Sequence, residues 1–321
     1  MSFFSNGHLP RKNILPPRPP PLGIPAYLWA PVVGITGIGI YSYYAFLDEV
    51  PLTKRKRWLA TSPQYEEQLG DRQYQQLLQN YKGKILPESH RATKTVKRVG
   101  GRIANASQQF AADEKLKFAS KSPYTYTVVR SDQANAFVLP NNHVFVLSGL
   151  FNFVKDEDEL AAVLGHEAAH NLARHAGERL SGSIIVQVIA SSLFMLDPSG
   201  VLASLFIPVA NILHELPHSR QHETEADRIG ILLAAHACYD PRASKRVFQA
   251  MGQGVKGAPP EFLSTHPSHT TRIAQFDDWL PAAIQEYEGD FGNRCSSVRA
   301  DMKAARQLAA LDSPPRESRT G

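Results

Sequence analysis

The sequence predicts an α+β protein that is mainly α, with a helical core, a small antiparallel sheet and one N-terminal transmembrane helix. Residues 26–47 form a run of 22 residues without a charge. A helix of that length reaches about 33 Å, which is enough to cross a bilayer. Residues 125–149 contain short β-branched and aromatic runs, which indicate strands. Most of the remaining chain has a helix-compatible composition with few breakers.

The apolar run at 26–47 has the features of a membrane span. Tyr27 and Trp29 lie near one end and three tyrosines lie near the other, as interfacial aromatic residues do. The alternative is a helix buried in a protein core. The segment before it, residues 1–25, is a basic, proline-rich arm that offers no apolar surface to bury such a helix. Basic residues flank both ends, so the charge rule does not orient the span. The arm is a candidate targeting segment, although its prolines interrupt an amphipathic helix.

Composition excludes several classes of protein. With 321 residues and 43% hydrophobic content, the chain can bury a core in one large or two modest domains, and it is neither disordered nor fibrous. Its net charge of +5 is concentrated before Asp48, which disfavours a nucleic-acid surface. Cys238 and Cys295 are too few for a disulfide scaffold. They form either one disulfide, in an oxidising compartment, or two separate buried thiols.

A helical collar and a small sheet are predicted before the core. The collar comprises residues 62–83 and 92–112, which are bounded by glycine and proline. Asn141 and Asn142 tolerate the positive φ of a tight turn, so they predict a hairpin between the last two strands. Three short runs predict the antiparallel sheet: 125–130, 134–140 and 143–149.

The core is predicted to be helical from residue 156 onward. Four carboxylates at 156–159 favour a helix N-terminus, and no proline follows for many residues. The apolar stretches 183–196 and 199–213 span about 21 to 22 Å each as helices, which is short for a membrane span. Buried or membrane-apposed helices are therefore favoured over a second membrane hairpin. A further helix is predicted to begin at Pro217.

The predicted helix after residue 156 carries a candidate metal site. His166 and His170 are four residues apart, so their side chains share one helix face and can reach one zinc ion. Glu167 projects beside that ion and can take a proton from bound water. The alternative is a solvated helix with incidental histidines, because this five-residue pattern also occurs by chance.

Two further features of the sequence bear on this hypothesis: a second copy of the pattern, and the residue that would be the third metal ligand. Residues 214–218 fit the bare pattern, but Pro217 interrupts the helix on which its histidines would share a face. A short-loop metalloproteinase has glycine three residues after the second histidine and a third histidine three residues later. Ala173 and Ala176 occupy those places, and His175 is one residue out of position. The third ligand must therefore come from elsewhere.

Glu223 is the best candidate for the third ligand. It lies four residues before Asp227, so both face the same side of a helix that can pack against the first. A carboxylate completes a catalytic set of two histidines and one glutamate and leaves a position for water. Asp227 can accept the free ring N–H of a ligand histidine and fix its tautomer. The alternative is an exposed charged helix, in which Glu223 and Glu225 are equivalent.

The motifs HEAAHNLARHAGE, SRQHETEAD and STHPSHTTRI, in that order around an apolar insert, resemble the membrane-associated zinc metallopeptidases that include HtpX and the CAAX prenyl proteases. The resemblance covers roughly residues 90–280 and implies a helical, zincin-like core with one Zn²⁺ per chain and Glu223 as third ligand. The N-terminal span, ETEADRIGILLAA and ANAFVLPNN look most like the mitochondrial inner-membrane branch, which is stress-activated and overlaps in activity with the m-AAA protease. Asn141 and Asn142 depart from the glycines common there.

The resemblance also implies roles for residues outside the ligand set. His266 is expected over the zinc site, where it either donates a hydrogen bond to the oxyanion or occupies the open position as a reversible fourth ligand. Arg272 is expected to support the same loop through an ion pair. The substrate is expected to pair as an extra strand along the edge formed by Asn135, Ala136, Phe137 and Val138.

Together these observations predict a membrane-anchored zinc metalloendopeptidase that acts in quality control and stress response. The sequence has no Walker-type nucleotide loop, so ATP independence is expected. Expected partners are protein substrates, chiefly membrane proteins, and the lipid bilayer, without nucleic acid or nucleotide; a homo-oligomer stays open. The resemblance implies a single-pass protein of the mitochondrial inner membrane with its catalytic domain in the intermembrane space.

The predicted division of the chain into domains is an arm (1–25), a span (26–47), a helical linker (48–89), the peptidase domain (90–285), and a C-terminal helix with a disordered tail (286–321).

Two other functions remain open at this point. One is another peptidase of the same group, either a bacterial-type envelope quality-control enzyme or a CAAX prenyl protease, although the latter needs several membrane spans. The other is an inactive zinc-binding membrane chaperone or scaffold. That function predicts loss of Glu167 or a permanent fourth protein ligand, and Glu167 is present.

Overall fold

The computed structural model describes residues 26–116, 122–253, 262, 266, 270–289 and 295–300. The chain divides into two compact units, 1–45 and 46–321. The described part of the first unit is helix α1 (Ala26–Ala45), whose side chains at Ile38 and Ile40 are exposed. A helix is therefore confirmed where the span was predicted. The N-terminal arm and the tail from residue 301 lie outside the described residues, and the predicted domain boundaries stay predictions.

The second unit begins with a hairpin and two helices. The strands pair antiparallel, and each helix begins at a side-chain cap. The Ser62 hydroxyl accepts a hydrogen bond from the backbone N–H of Tyr65, with Pro63 at the first helical position. Helices are thus confirmed at both predicted collar segments, 62–83 and 92–112. The elements of this region are β1 (Leu47–Glu49), β2 (Lys56–Trp58), α2 (Pro63–Asn80) and α3 (Arg91–Asp113).

A three-stranded mixed sheet follows, in the order β3-β5-β4. The predicted hairpin of β4 and β5 is confirmed, and Asn142 in its turn has φ of 61°. β3, however, runs parallel to β5, so the prediction of an all-antiparallel sheet is wrong for this strand. Every residue of β5 is buried, which places it centrally with a partner on each side. The strands are β3 (Thr125–Val129), β4 (Ala136–Val138) and β5 (His143–Leu147).

A single 3₁₀ turn, Ser148–Asn152, leads from the sheet into the helical core. Helix α6 is continuous through Pro217, so the prediction that a new helix begins there is wrong. It packs against both α4 and α5, and these contacts hold a helix that the proline locally disfavours. The helices are α4 (Glu157–Leu172), α5 (His175–Leu196), α6 (Val201–His236), α7 (Arg242–Gln253) and α8 (Thr270–Glu288).

Helix α4 lies at the centre of the fold, in contact with α3, α6, α7 and β4. Leu160 and Leu164 of α4 pack in one apolar cluster with Ile103 of α3 and with Ile229 and Leu233 of α6. All five side chains are fully buried. Burial of each contributes about 1.5–3 kcal/mol, so this cluster holds α4 and α6 in a fixed relation.

Helices α5 and α6 form an apolar hairpin whose tip faces outward. Apolar helices at 183–196 and 199–213 are confirmed, but Val188, Phe194 and Leu205 are at least half exposed, so the buried alternative is wrong. Among the described residues, α5 is the helix long and apolar enough to cross a membrane by length and composition. The span predicted at 26–47 therefore stays a prediction, and the described helix with the length and composition of a span is α5, which the sequence did not single out.

A disulfide joins Cys238 to Cys295. Cys238 follows α6 directly and Cys295 lies beyond α8, so the bond links segments that are 57 residues apart. Of the two alternatives that the sequence left open, the structure has the disulfide.

Candidate metal centre

Helix α4 carries two histidines and a glutamate into the core. Its N-terminus is fixed by Asp156, whose carboxylate accepts a hydrogen bond from the backbone N–H of Glu159. From that start, His166 and His170 lie one turn apart on one face, and Glu167 lies beside them. All three side chains are buried, with at most 8% of each residue exposed. Ionisable groups at this depth need polar partners or a metal ion.

Helix α6 crosses α4 at two glycines. A Cβ atom added to Gly165 would lie 2.9 Å from the carbonyl oxygen of Gly230, and one added to Gly230 would lie 2.9 Å from the backbone of His166. The two backbones therefore meet without a side chain between them. This approach brings Glu223 and Asp227, four residues apart on α6, to the histidines of α4.

Side-chain atoms of four residues converge within 4.8 Å of one another, namely those of His166, His170, Glu223 and His266. His166 Nε2 lies 3.1 Å from His170 Nε2 and 3.3 Å from Glu223 Oε2. His170 Nε2 lies 3.4 Å from Glu223 Oε1. A tetrahedral zinc ion with ligands at about 2.0–2.1 Å holds its ligand atoms roughly 3.3 Å apart. The first three residues thus have the separations of a zinc ligand set.

The hydrogen bonds of His166 leave a lone pair on the nitrogen that faces the cluster. His166 Nδ1 lies 3.0 Å from Asp227 Oδ1, and because an ionised carboxylate only accepts, Nδ1 carries the proton. In the neutral form that a metal ligand must have, His166 Nε2 holds a lone pair toward His170 Nε2 and the Glu223 carboxylate. Facing lone pairs repel unless a cation lies between them. The set of imidazole and carboxylate donors therefore fits a divalent ion such as zinc.

Arg272 supports this arrangement through carboxylates. Its Nε and one terminal nitrogen donate to the two oxygens of Asp227 at 2.7 and 2.8 Å, a bidentate pair. Its other terminal nitrogen lies 3.1 Å from Glu223 Oε2 and 3.5 Å from the carbonyl oxygen of His266. The expected ion pair of Arg272 is therefore made with Asp227 and Glu223, and its contact with the His266 backbone is longer.

His266 is the fourth residue of the cluster and contacts both α4 and α6. Its Nδ1 lies 3.2 Å from His166 Nε2 and 3.0 Å from Glu223 Oε1. Its Nε2 lies 3.4 Å from Glu167 Oε1, and its ring stacks on Phe262 with centroids 4.5 Å apart. His266 therefore stands where a fourth ligand stands and also within reach of the glutamate.

Burial and neighbouring charges shift pKa values of the cluster in opposite directions. Burial lowers the pKa of His170 to about 3. Burial also disfavours charged His166, but its hydrogen bonds to Asp227 and Glu223 outweigh that effect and raise its pKa to about 9. Burial alone would raise the pKa of Glu223, yet the charge of His266 and the histidine hydrogen bonds hold it well below its usual value. The cluster therefore favours a bound positive charge.

Glu167 has the environment of a proton acceptor. It is 1% exposed, and burial raises the pKa of its carboxyl group. The backbone N–H of Val138 donates to the carboxylate, while Oε1 accepts no hydrogen bond from the described residues. A carboxylate with a raised pKa next to the ligand cluster can take a proton and release it again.

Strand β4 is an edge strand of the sheet, and its residue Val138 lies beside Glu167. The backbone N–H of Leu139 donates to His143, and that of Leu147 donates to Asn135, so these positions face β5. The polar backbone groups of Ala136 and Val138 alternate with them and point away from β5. Ala136 is buried, whereas Phe137 and Val138 are half-buried. The opposite edge of the sheet is covered, because Leu86 N–H donates to Val128.

Sequence reasoning missed the partners of His170. His175, set aside as out of position, places its Nδ1 2.8 Å from His170 Nδ1. Glu225 is 4% exposed and lies 3.0 Å from His175 Nε2, so the exposed-helix alternative is wrong. Arg55 completes the group by donating to Glu225 at 2.7 Å. The order HNLARH was visible, but nothing in its spacing indicated which distant carboxylate it would meet.

Comparison with known proteins agrees with this geometry. A family profile described as Peptidase family M48 matches residues 93–280. The mitochondrial metalloendopeptidase OMA1 of Schizosaccharomyces pombe is 38% identical over 255 residues, which cover 78% of this chain and 71% of that protein. OMA1 of Saccharomyces cerevisiae is 32% identical, covering 80% and 74%. The human protein of that name is 32% identical, covering 80% and 51%.

The matched residues 93–280 include all four converging residues and Glu167. The resemblance based on HEAAH, ETEAD and STHPSHTTRI is thereby confirmed. The mainly helical α+β architecture is confirmed as well. The chain belongs to peptidase family M48 and is a metalloendopeptidase.

Proposed function

We propose that the metal is one zinc ion held by His166, His170 and Glu223, and that Glu167 is the general base for peptide hydrolysis. The observation that carries this proposal is that ligand atoms of three residues converge, with separations of 3.1–3.4 Å, beside the buried carboxylate of Glu167. The donor types match the two-histidine, one-glutamate sets of catalytic zinc sites.

The side chains divide the chemistry among them. Zinc, when bound, polarises the scissile carbonyl and lowers the pKa of a water molecule. Glu167 takes the proton of that water at its carboxylate and passes it to the leaving amine, a role that suits its raised pKa. Asp227, held by Arg272, keeps the proton of His166 on Nδ1 and so presents Nε2 to the ion.

The substrate lies along β4 as an added strand. Ala136 and Val138 direct backbone groups away from β5, at the edge of the sheet, and the N–H of Val138 donates to Glu167. A peptide paired there would pass its backbone beside the cluster, because α4 contacts β4. This mode of binding requires an extended, accessible segment, so unfolded or juxtamembrane regions of proteins are the substrate class. The absence of a Walker-type loop from the sequence supports hydrolysis without ATP.

His266 occupies the fourth position in the resting enzyme. Its Nδ1 is as close to Glu223 and His166 as the other ligand atoms are to one another. A site with four protein ligands is closed to water and substrate. His266 must therefore leave before cleavage, and an activating signal would act by favouring its departure.

The proposed location is the mitochondrial inner membrane, with the peptidase unit in the intermembrane space. The mitochondrial names of the relatives support the organelle. The uncharged segment at 26–47 and the exposed apolar side chains of α5 support attachment to a bilayer. The disulfide between Cys238 and Cys295 supports a compartment more oxidising than the matrix. Quality control of membrane proteins under stress is the role that fits this placement.

The decisive experiment compares Glu167→Gln with Glu223→Gln in the purified full chain, with zinc quantified. Glu167→Gln should retain one zinc per chain and lose cleavage of an unfolded protein by at least about 100-fold, the scale of general acid–base catalysis. Glu223→Gln should lose the zinc itself. Unchanged cleavage in Glu167→Gln, or retained zinc in Glu223→Gln, would show that the roles are assigned wrongly.

A further inference from the structure

A chain of hydrogen bonds runs from His170 to the loop between β1 and β2. His170 Nδ1 lies 2.8 Å from His175 Nδ1, and His175 Nε2 lies 3.0 Å from Glu225 Oε2. Arg55, in the loop, donates to Glu225 Oε1 at 2.7 Å and to Oε2 at 3.1 Å. His175 is completely buried and Glu225 nearly so. The chain thus connects α4, α5, α6 and the hairpin.

The positions of the protons along this chain follow from the chemistry of its ends. Glu225 faces Arg55 as an ionised carboxylate, which only accepts hydrogen bonds. His175 must therefore donate from Nε2, which leaves a lone pair on Nδ1 of the neutral ring. That lone pair accepts the Nδ1 proton of His170. His170 is then left with its lone pair on Nε2, the atom that faces His166 and Glu223.

Two further groups hold the chain in place without touching His170. Glu178 forms a bidentate pair with Arg55, with both contacts at 2.8 Å. Glu178 also lies 3.2 Å from His222, whose ring stacks on that of His175 with centroids 4.2 Å apart. Glu178 and Glu225 are therefore two buried carboxylates on one arginine, and Glu225 is the one that accepts from His175 Nε2 at 3.0 Å.

We propose that His175, Glu225 and Arg55 are positioning residues that orient His170 for the metal, an inference that rests on the proposed zinc site. The arrangement parallels the support of His166, whose Nδ1–H donates to Asp227, a carboxylate that also accepts hydrogen bonds from Arg272. His166 and His170 thus each donate into a series of hydrogen bonds that ends at an arginine. Arg55 lies ten residues after the end of α1, so the segment that follows this helix contributes to the metal site.

Two isosteric substitutions at His175 separate orientation from packing. In His175→Asn the amide oxygen takes the place of Nδ1 and still accepts from His170, but the contact to Glu225 is lost. In His175→Gln the amide nitrogen takes the place of Nε2 and still reaches Glu225, but the acceptor for His170 is lost. Glu178→Gln is the matched control, because it removes a buried charge from the same arginine.

The measurements are the zinc dissociation constant of the full chain, by competition with a chelator, and the absorption spectrum of the Co²⁺-substituted protein. His175→Gln should weaken zinc binding on the order of 10- to 100-fold, as loss of a ligand's hydrogen-bond partner does, and should change the Co²⁺ spectrum. His175→Asn should recover most of that loss. The zinc affinity of Glu225→Gln, which keeps an acceptor but removes the charge, should lie between those of the two His175 variants. Glu178→Gln leaves the bond between Glu225 and His175 in place, so it should weaken zinc binding least.

Unchanged zinc affinity in His175→Gln would overturn the inference. Equal weakening in His175→Gln, His175→Asn and Glu178→Gln would also overturn it, because the cluster would then be merely structural. If His175→Gln does not fold, the comparison of Glu225→Gln with Glu178→Gln gives the same decision. Failure of the proposed zinc site looks different, since the unsubstituted chain would then not bind one zinc ion.

Discussion

At the scale of single residues, three histidines within one cluster are distinguished by what their second nitrogen meets. His166 has a carboxylate behind it, His170 has another histidine, and His266 has Glu167. A histidine whose far nitrogen is anchored keeps one tautomer and one orientation. His266 is held instead by a stacked phenylalanine ring, Phe262, and by contacts within the cluster itself. In the proposed site, His266 is therefore the ligand that is most easily released.

Replacement of His266 tests whether the fourth position is a resting state. Suppose that His266 is off the metal in about a tenth of the molecules. His266→Ala should then raise the rate of cleavage of a short peptide roughly tenfold, because every molecule would have the fourth position open. The Co²⁺ spectrum should change at the same time because a ligand is lost. Cleavage rates and spectra on the same preparation provide the measurement. A fall in kcat with an unchanged spectrum would assign His266 to the oxyanion instead.

At the scale of secondary structure, the site depends on how closely two helices approach. The side chain of Glu223 reaches His166 because α6 touches α4 at Gly165 and Gly230, where no Cβ atom separates the backbones. Helix packing with ordinary side chains holds axes 8–10 Å apart. A small increase in that separation would draw Glu223 away from the histidines.

Substitution of Gly230 should damage both stability and metal binding. The methyl group of Gly230→Ala would lie 2.9 Å from backbone atoms of His166, so the helices must shift, at a cost of about 1–3 kcal/mol. Zinc affinity should also fall, because the shift draws Glu223 away from the histidines of α4. Gly101→Ala in α3 is the control, because a Cβ there meets nothing within 4 Å and should stabilise the helix by about 0.5–1 kcal/mol. Urea unfolding and chelator competition measure the two effects, and equal behaviour of the two variants would refute the argument.

Local sequence patterns predicted those parts of the site that lie within one helix. The helical repeat predicts that His166 and His170 share one face of a helix, and that Glu223 and Asp227 share one face of another. The structure has both arrangements. Features that depend on contacts distant in the chain were not predictable. The glycine crossing, the parallel pairing of β3, and the meeting of His175 with Glu225 each join elements whose separation no periodicity encodes.

At the scale of the whole molecule, two apolar features point to a bilayer. Helix α1 belongs to a compact unit of its own, and the hairpin of α5 and α6 belongs to the peptidase unit. Exposed apolar side chains on that hairpin include Val188, Phe194 and Leu205. Contiguous apolar surface of this kind marks a membrane or protein contact. The peptidase unit is therefore expected to bind a membrane independently of the N-terminal helix.

A liposome experiment on residues 46–321 tests that expectation. This unit should float with liposomes, because its exposed leucine and phenylalanine side chains each gain about 1.5–3 kcal/mol on leaving water. Phe194→Ser with Leu205→Ser should lower the bound fraction roughly tenfold or more, whereas Tyr65→Ser, at an exposed aromatic residue of α2, should leave it unchanged. Flotation followed by quantification of the bound protein measures the effect. If residues 46–321 stay in the soluble fraction, the membrane attachment resides in the first 45 residues alone, and the exposed hairpin has another partner.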